Sequence, residues 1–156
     1  MSFTVYSLAD TRVVLSHPNV GKASLHREGI GKITVARGGD LSSHTTTADG
    51  SVVINRLKSE SGSITLEVPQ NSAADVFLRR WAAYLQTVQA TEQFAVSTLT
   101  IQDTAGGLTL SASGVTPQKL PDRSWDRTAS TLTYTLLAAV IREKNILSDT
   151  ADTPPR

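Results

Sequence analysis

The residues able to do chemistry in this chain are few and scattered. Its histidines are His17, His26 and His44. A zinc centre gathers three or four ligands, often nucleated by two histidines a few residues apart. No short H-x-H or H-x-x-x-H pair is present and no carboxylate completes a triad, so all three read as surface histidines. Gly21-Lys22 and Gly31-Lys32 resemble the end of a phosphate-binding loop. That loop requires a glycine five residues before its second glycine and Ser or Thr after the lysine. Ser16 and His26 occupy the first place, Ala23 and Ile33 the last, so the match fails. No G-x-S-x-G elbow occurs. Carboxylates fall singly in loops, which does not favour a glycosidase pair. Without cysteine there is no disulfide, thiolate ligand or Cys nucleophile. The expectation is a structural or binding protein, not an enzyme, with no metal and no cofactor.

Composition agrees. The chain has 156 residues, 39% apolar and 19% charged, which suits one domain with tails. Seventeen serines and 20 threonines favour turns and strands with uncharged polar faces. Fifteen basic and 14 acidic residues are interspersed for a net charge of +1, unlike a dedicated nucleic-acid binder. There is no polybasic membrane signal, no secretory start and no apolar run long enough to span a bilayer. Synthesis and folding in a cytoplasm are expected.

The elements are mostly short strands. The organising stretch is Gly50 to Thr87. Ser51–Lys58 reads as a strand, Glu60-Ser61-Gly62 as a hairpin turn, and Ser63–Val68 as its partner, with Ile64, Leu66 and Val68 inward. Pro69 ends that strand. Ser72 then caps a helix over residues 72–87. Ala74, Phe77, Leu78, Trp81, Leu85 and Val88 form its apolar stripe, and Arg79 and Arg80 lie off it. Those arginines face either solvent or a neighbouring subunit.

Strands are also expected at Asp10–His17 and Gly29–Arg37, with Val20–Arg27 irregular between them. A second hairpin joins a strand within Glu92–Asp103 to Leu108–Val115. Thr116–Arg127 reads as an ordered loop plugged by Trp125. Ser130–Arg142 is the longest strand, with Leu132, Tyr134, Leu136, Ala138 and Val140 on one face and Ile141 on the other. Gly38–Gly50 is rich in breakers and long enough to be functional or mobile. It is either a floppy surface loop or an arm (residues 37–50) that contacts another subunit through Asp40, Leu41, Ser42, His44, Thr46 and Asp49. Residues 1–145 are expected to form one β domain, and 146–156 a polar tail.

Several stretches, in order, resemble the tail tube proteins of contractile-tailed bacteriophages. They are Tyr6-Ser7-Leu8-Ala9-Asp10 leading into Thr11–Leu15, Glu28-Gly29-Ile30, Asp49-Gly50, Gly62-Ser63-Ile64-Thr65-Leu66, and Lys119-Leu120-Pro121-Asp122 before the last strand. The likeness spans about residues 6–143. It implies a mainly β fold: an antiparallel β-sandwich or partial barrel with one flanking α-helix. It also implies homohexameric rings stacked into a tube inside a sheath, in a virion tail assembled in the host cytoplasm. The implied partners are other copies of the chain, the tail sheath protein, and baseplate and tail-terminator proteins. Viral DNA would pass through transiently and non-specifically, and the subunit would bind no membrane. Type VI secretion tubes use the same fold.

The outward strand faces fit a bore that DNA must not stick to, since Lys and Arg would bind phosphate. Candidate lumen positions are Ser63, Thr65, Glu67, Thr98, Thr100, Thr109, Ser111, Thr131 and Thr133. Alternative roles are a tube initiator or terminator, a baseplate protein, a type VI-like tube subunit, or a β-sandwich binding module.

Overall fold

The computed structural model describes residues 5–25 and 30–145. His26, Glu28-Gly29 and the tail 146–156 lie outside them.

Among the described residues, ten strands and one α-helix follow in the order β1 (Thr11–His17), β2 (Gly21–Ser24), β3 (Lys32–Arg37), β4 (Ser42–Thr46), β5 (Val52–Arg56), β6 (Gly62–Pro69), α1 (Ala73–Thr87), β7 (Ser97–Asp103), β8 (Leu108–Lys119), β9 (Thr131–Ala138) and β10 (Val140–Asn145). The fold is mainly β and every pairing is antiparallel. The body runs β2-β1-β7-β8-β9-β6-β3, with β10 also on β8, while β4 and β5 pair only with each other.

The twelve-residue β8 divides the body into two wings. Its first half lies between β7 and β10, and its second half pairs with β9. One wing is therefore β2-β1-β7-β8-β10 and the other β3-β6-β9-β8. Gly114 sits where β8 changes wings, at φ +64, and an added Cβ would lie 2.7 Å from the Ala139 Cβ. Glycine alone meets both conditions without strain. Across the ladder Ala139 stands opposite Gly114, in one register that runs on from Thr116–Leu137 to Ser113–Val140. Ala138 and Ile141 are both buried, as are Val115 and Ala112 opposite them, so the inward phase changes on both strands together where the sheet bends. The expected sharing of one face by Val140 with Leu132, Tyr134, Leu136 and Ala138 is thus corrected: Ile141 joins the buried face and Val140 leaves it. The run from Thr131 to Asn145 still reads as one interrupted strand.

Both wings turn their apolar faces to one core. Val13, Leu15 and Leu99 enter from the first wing and Ile64, Leu66, Val68, Leu132 and Leu136 from the second, all essentially buried. Helix α1 adds Ala74, Phe77, Leu78, Trp81 and Leu85, as its spacing predicts. Each large side chain so buried contributes about 1.5–3 kcal/mol. Val88 lies just beyond the helix and is only half-buried. Ser72 Oγ accepts from the Asp75 N–H at 3.2 Å, the expected cap. Trp81 donates its indole N–H to Ser97 Oγ at 2.8 Å inside the core.

Six further expectations change. Residues 20–27 contain β2, paired to β1. Residues 38–50 contain β4, and β5 pairs with β4 rather than β6, so Glu60–Gly62 is no hairpin turn. The tight turn lies at Thr47–Gly50 instead. Gly50 takes φ +86, its N–H reaches Thr47 O at 3.0 Å, and Thr47 N reaches Ser51 O at 2.8 Å. That is a three-residue hairpin loop with glycine in the left-handed position. β6 pairs with β3 and β9, which lets its inward residues meet the core from the middle of a wing. β8 runs on to Lys119 through Pro117, which is tolerated because that half of β8 is a wing edge with one unpaired side. Trp125 is 79% exposed and plugs nothing. Its loop is fixed by Arg123, whose planar cation finds a buried carboxylate. His17 is 1% exposed rather than on the surface, because strand alternation carries it inward after Val13 and Leu15.

Candidate assembly surfaces

The hairpin β4–β5 projects from the body as an arm. At its root the Gly38 N–H donates to Ser61 O at 2.9 Å, and Arg37 donates to Ile141 O at 2.9 Å and pairs with Glu143. Beyond the root the strands of the arm are exposed except at half-buried Asn55. All six expected contact residues sit on it or at its base: Asp40 and Leu41 before β4, Ser42, His44 and Thr46 in β4, and Asp49 in the turn. Asp49 takes hydrogen bonds from the Thr47 hydroxyl and the Ser51 N–H, which hold its carboxyl down to about 2.

The two faces of the arm differ. Val52, Ile54 and Arg56 share one face with Thr46, His44 and Ser42 opposite them. Leu41 and Ile54 are 72% and 69% exposed, and Val52 is exposed too. On the other face Asn55 donates to Ser43 Oγ and Thr45 Oγ1 at 3.2 and 3.1 Å, beside Val53. A lone two-stranded hairpin is marginal in water, and clustered exposed aliphatics mark a contact surface. Sequence reading missed β4 because Ser42–Thr46 contains no apolar residue. The signal that finds it is Asp49-Gly50 between two runs of β-formers.

The nine expected bore residues split between the wings. Ser63, Thr65, Glu67, Thr131 and Thr133 lie on the outer face of β3-β6-β9-β8. Thr98, Thr100, Thr109 and Ser111 lie on the outer face of the other wing. None is a buried residue, although the Thr109 hydroxyl oxygen itself is covered and has no hydrogen-bond partner among the described residues. Because both wings give their inner faces to one core, their outer faces diverge. The register also shows cations that strand-by-strand reading missed. Arg12, Lys22, Arg142 and Lys144 border the Ser/Thr field of the first wing. On the second wing Lys32 stands opposite Glu67, and Lys119 opposite Thr135.

The helix start holds a charged network absent from the sequence reading. Asp75 is fully buried. Arg123 grips it with both terminal nitrogens, at 3.1 and 2.7 Å, and also donates to the Tyr134 hydroxyl at 2.8 Å. Tyr134 donates to Asp75 Oδ1 at 2.6 Å, and Asn71 N–H to Oδ2 at 3.0 Å. Burial pushes the Asp75 carboxyl up, but the hydrogen bonds from Arg123, Tyr134 and Asn71 outweigh it and hold it at about 2. Burial, then the Asp75 contact, pushes the Tyr134 phenol up. Arg79 Nε stands 3.6 Å from Asp75, and the Arg80 guanidinium lies 5.4 Å from the Phe77 ring centre. Both arginines remain exposed.

His17 ties three elements. Its Nδ1 accepts the Asn19 N–H at 3.0 Å, so Nε2 carries the proton and donates to Gln93 O at 2.8 Å. Among the described residues no group of three or more His, Asp or Glu is arranged to hold a metal ion, and no helix is long and apolar enough to cross a membrane.

Comparison with known proteins follows the same line. A search of curated proteins finds no match. Solved structures share the fold. One, from the sheath–tube complex of the extracellular contractile injection system PVC in its extended state, is 18% identical, with a TM-score of 0.55 over 86% of this chain and 89% of that one. A PVC sheath/tube terminator in the extended state is 17% identical, TM-score 0.55, over 92% and 97%. A chain from the anti-feeding prophage baseplate, 6-fold symmetrised, is 15% identical, TM-score 0.61, over 94% and 99%. The family model "Bacteriophage PhiTE tail tube protein" matches residues 3–145, nearly the whole length, and the chain belongs to that tail tube family.

Proposed function

We propose that the chain polymerises as stacked hexameric rings into the hollow tube of a contractile phage tail, inside a sheath and above a baseplate, and that the viral genome leaves through its bore. The observation that carries this reading is the projecting β4–β5 arm, whose exposed Leu41, Val52 and Ile54 have no core of their own to enter. Six-fold symmetry is carried over from the anti-feeding prophage relative. A wing with two open edges closes without exposed ladders when copies pair edge to edge around a ring.

The wing β3-β6-β9-β8 fits the bore better. Its outer face is a threonine field with two lysines against one glutamate, whereas the other wing gathers four cations. A bore lined by that four-cation wing would hold phosphate. Arg79 and Arg80, on the exposed side of α1, fit a contact with a neighbouring subunit or the sheath. The same fold serves a tube terminator in PVC, and a terminator would stop at single rings.

The test is to replace residues 40–58 by a short Gly-Ser link at the Gly38–Ser61 root. The shortened chain is expected to keep its thermal midpoint and sediment as a monomer, while the intact chain forms long particles. Normal tube formation by the shortened chain would contradict the proposal.

A further inference from the structure

The β4–β5 arm and the exposed Trp125 stand at opposite ends of one wing. In β3-β6-β9-β8, Arg37, Gly62 and Ala138 share the row from which the arm departs. Pro69 and Thr131 form the last row at the other end, and the loop 120–130 enters β9 there. The eight residues of β6 separate the two ends by about 25 Å.

The loop holding Trp125 is pinned. Arg123 fastens it to buried Asp75 and to Tyr134. Beside it, Ser130 O accepts the Gln70 N–H and Ser130 Oγ donates to Gln70 Oε1, both at 2.9 Å. A 79% exposed indole on a fixed support loses little conformational freedom on binding. The core does not need this side chain, and among the described residues it makes no hydrogen bond or ring contact.

We propose that Trp125 and its loop form the receptor for the β4–β5 arm of a second copy of this chain, stacked end to end. This rests on the tube reading above and adds the partner surface to it. The chemistry is complementary. The arm face offers Val52, Ile54 and Arg56 side by side. The receptor offers an indole face for the branched side chains, and the carboxylates of Asp122 and Asp126 for the guanidinium, which also stacks on aromatic rings. Donor and receptor lie at opposite ends of one molecule, so the contact is head-to-tail and repeats along an axis rather than closing as a dimer.

The chain has no native cysteine, so the contact can be tested with introduced thiols. The variant carrying Ile54→Cys and Ser124→Cys is assembled, treated with a short bismaleimide and run on a denaturing gel. A ladder of many cross-linked chains is expected, with none from either single variant and none from protein unfolded before treatment. Trp125→Ala, at an exposed site, is expected to keep the fold by circular dichroism and raise the concentration needed for assembly at least tenfold. Tubes that form without a ladder, or an unchanged threshold in Trp125→Ala, overturn the receptor while leaving the tube reading standing. If the unmodified chain forms no tubes or stacked rings, the tube reading fails and the receptor with it.

Discussion

Ser97 is small, polar and fully buried, and its hydroxyl is the partner of the Trp81 indole N–H. Removing that hydroxyl leaves a donor without an acceptor in the core. Ser97→Ala is therefore expected to cost about 1–3 kcal/mol, measured by urea unfolding. A change within error would show that the hydrogen bond contributes little. The tryptophan itself is legible in the sequence as part of a 3-4 apolar stripe. Its partner is not, because it lies 16 residues on, at the start of β7. His17 shows the same limit: its inward direction follows from alternation with Val13 and Leu15 and its Asn19 contact is local, yet the Gln93 contact that completes its pairing is 76 residues away in sequence.

At the scale of elements, Asp75 turns a helix cap into a fastening. It closes the first turn of α1 and anchors the loop 120–130 through Arg123. Its folded pKa, about 2, lies below the ordinary 3.8. The stability it contributes is therefore present in full above about pH 4 and lost as pH falls toward 2. Asp75→Asn is expected to flatten that part of the pH dependence. At neutral pH it should also cost on the order of 3 kcal/mol, because Arg123 is left without its counter-charge. Urea unfolding of both proteins at pH 7 and pH 3 measures this; an equal loss in both between these pH values would refute the assignment. The capped helix, the β7–β8 hairpin and the inward residues of β6 and β9 are written in local patterns of period 3.6 and 2. The pairing of β5 is not, since Val52-Val53-Ile54 satisfies the alternation against either neighbour. Only the Gly50 turn geometry decides it. The bend of β8 is similarly hidden in one glycine, because the inward phase of both strands changes where Ala139 meets Gly114.

For the whole molecule, membership of the tail tube family makes this a tail tube protein, while its ring number and the wall of its bore are proposals. The sequence makes the uncharged strand faces visible but not their division between two wings, and so not the row of cations that borders one of them. That division is what the proposal of β3-β6-β9-β8 as the bore wall rests on. The most direct measurement is a cryo-electron microscopy reconstruction of particles formed by the purified full-length chain. The account predicts tubes of stacked six-fold rings with Thr65, Thr133 and Thr135 facing the bore. A monomer that persists at all concentrations, or a tube whose bore is lined by Arg12, Lys22 and Arg142, would contradict it.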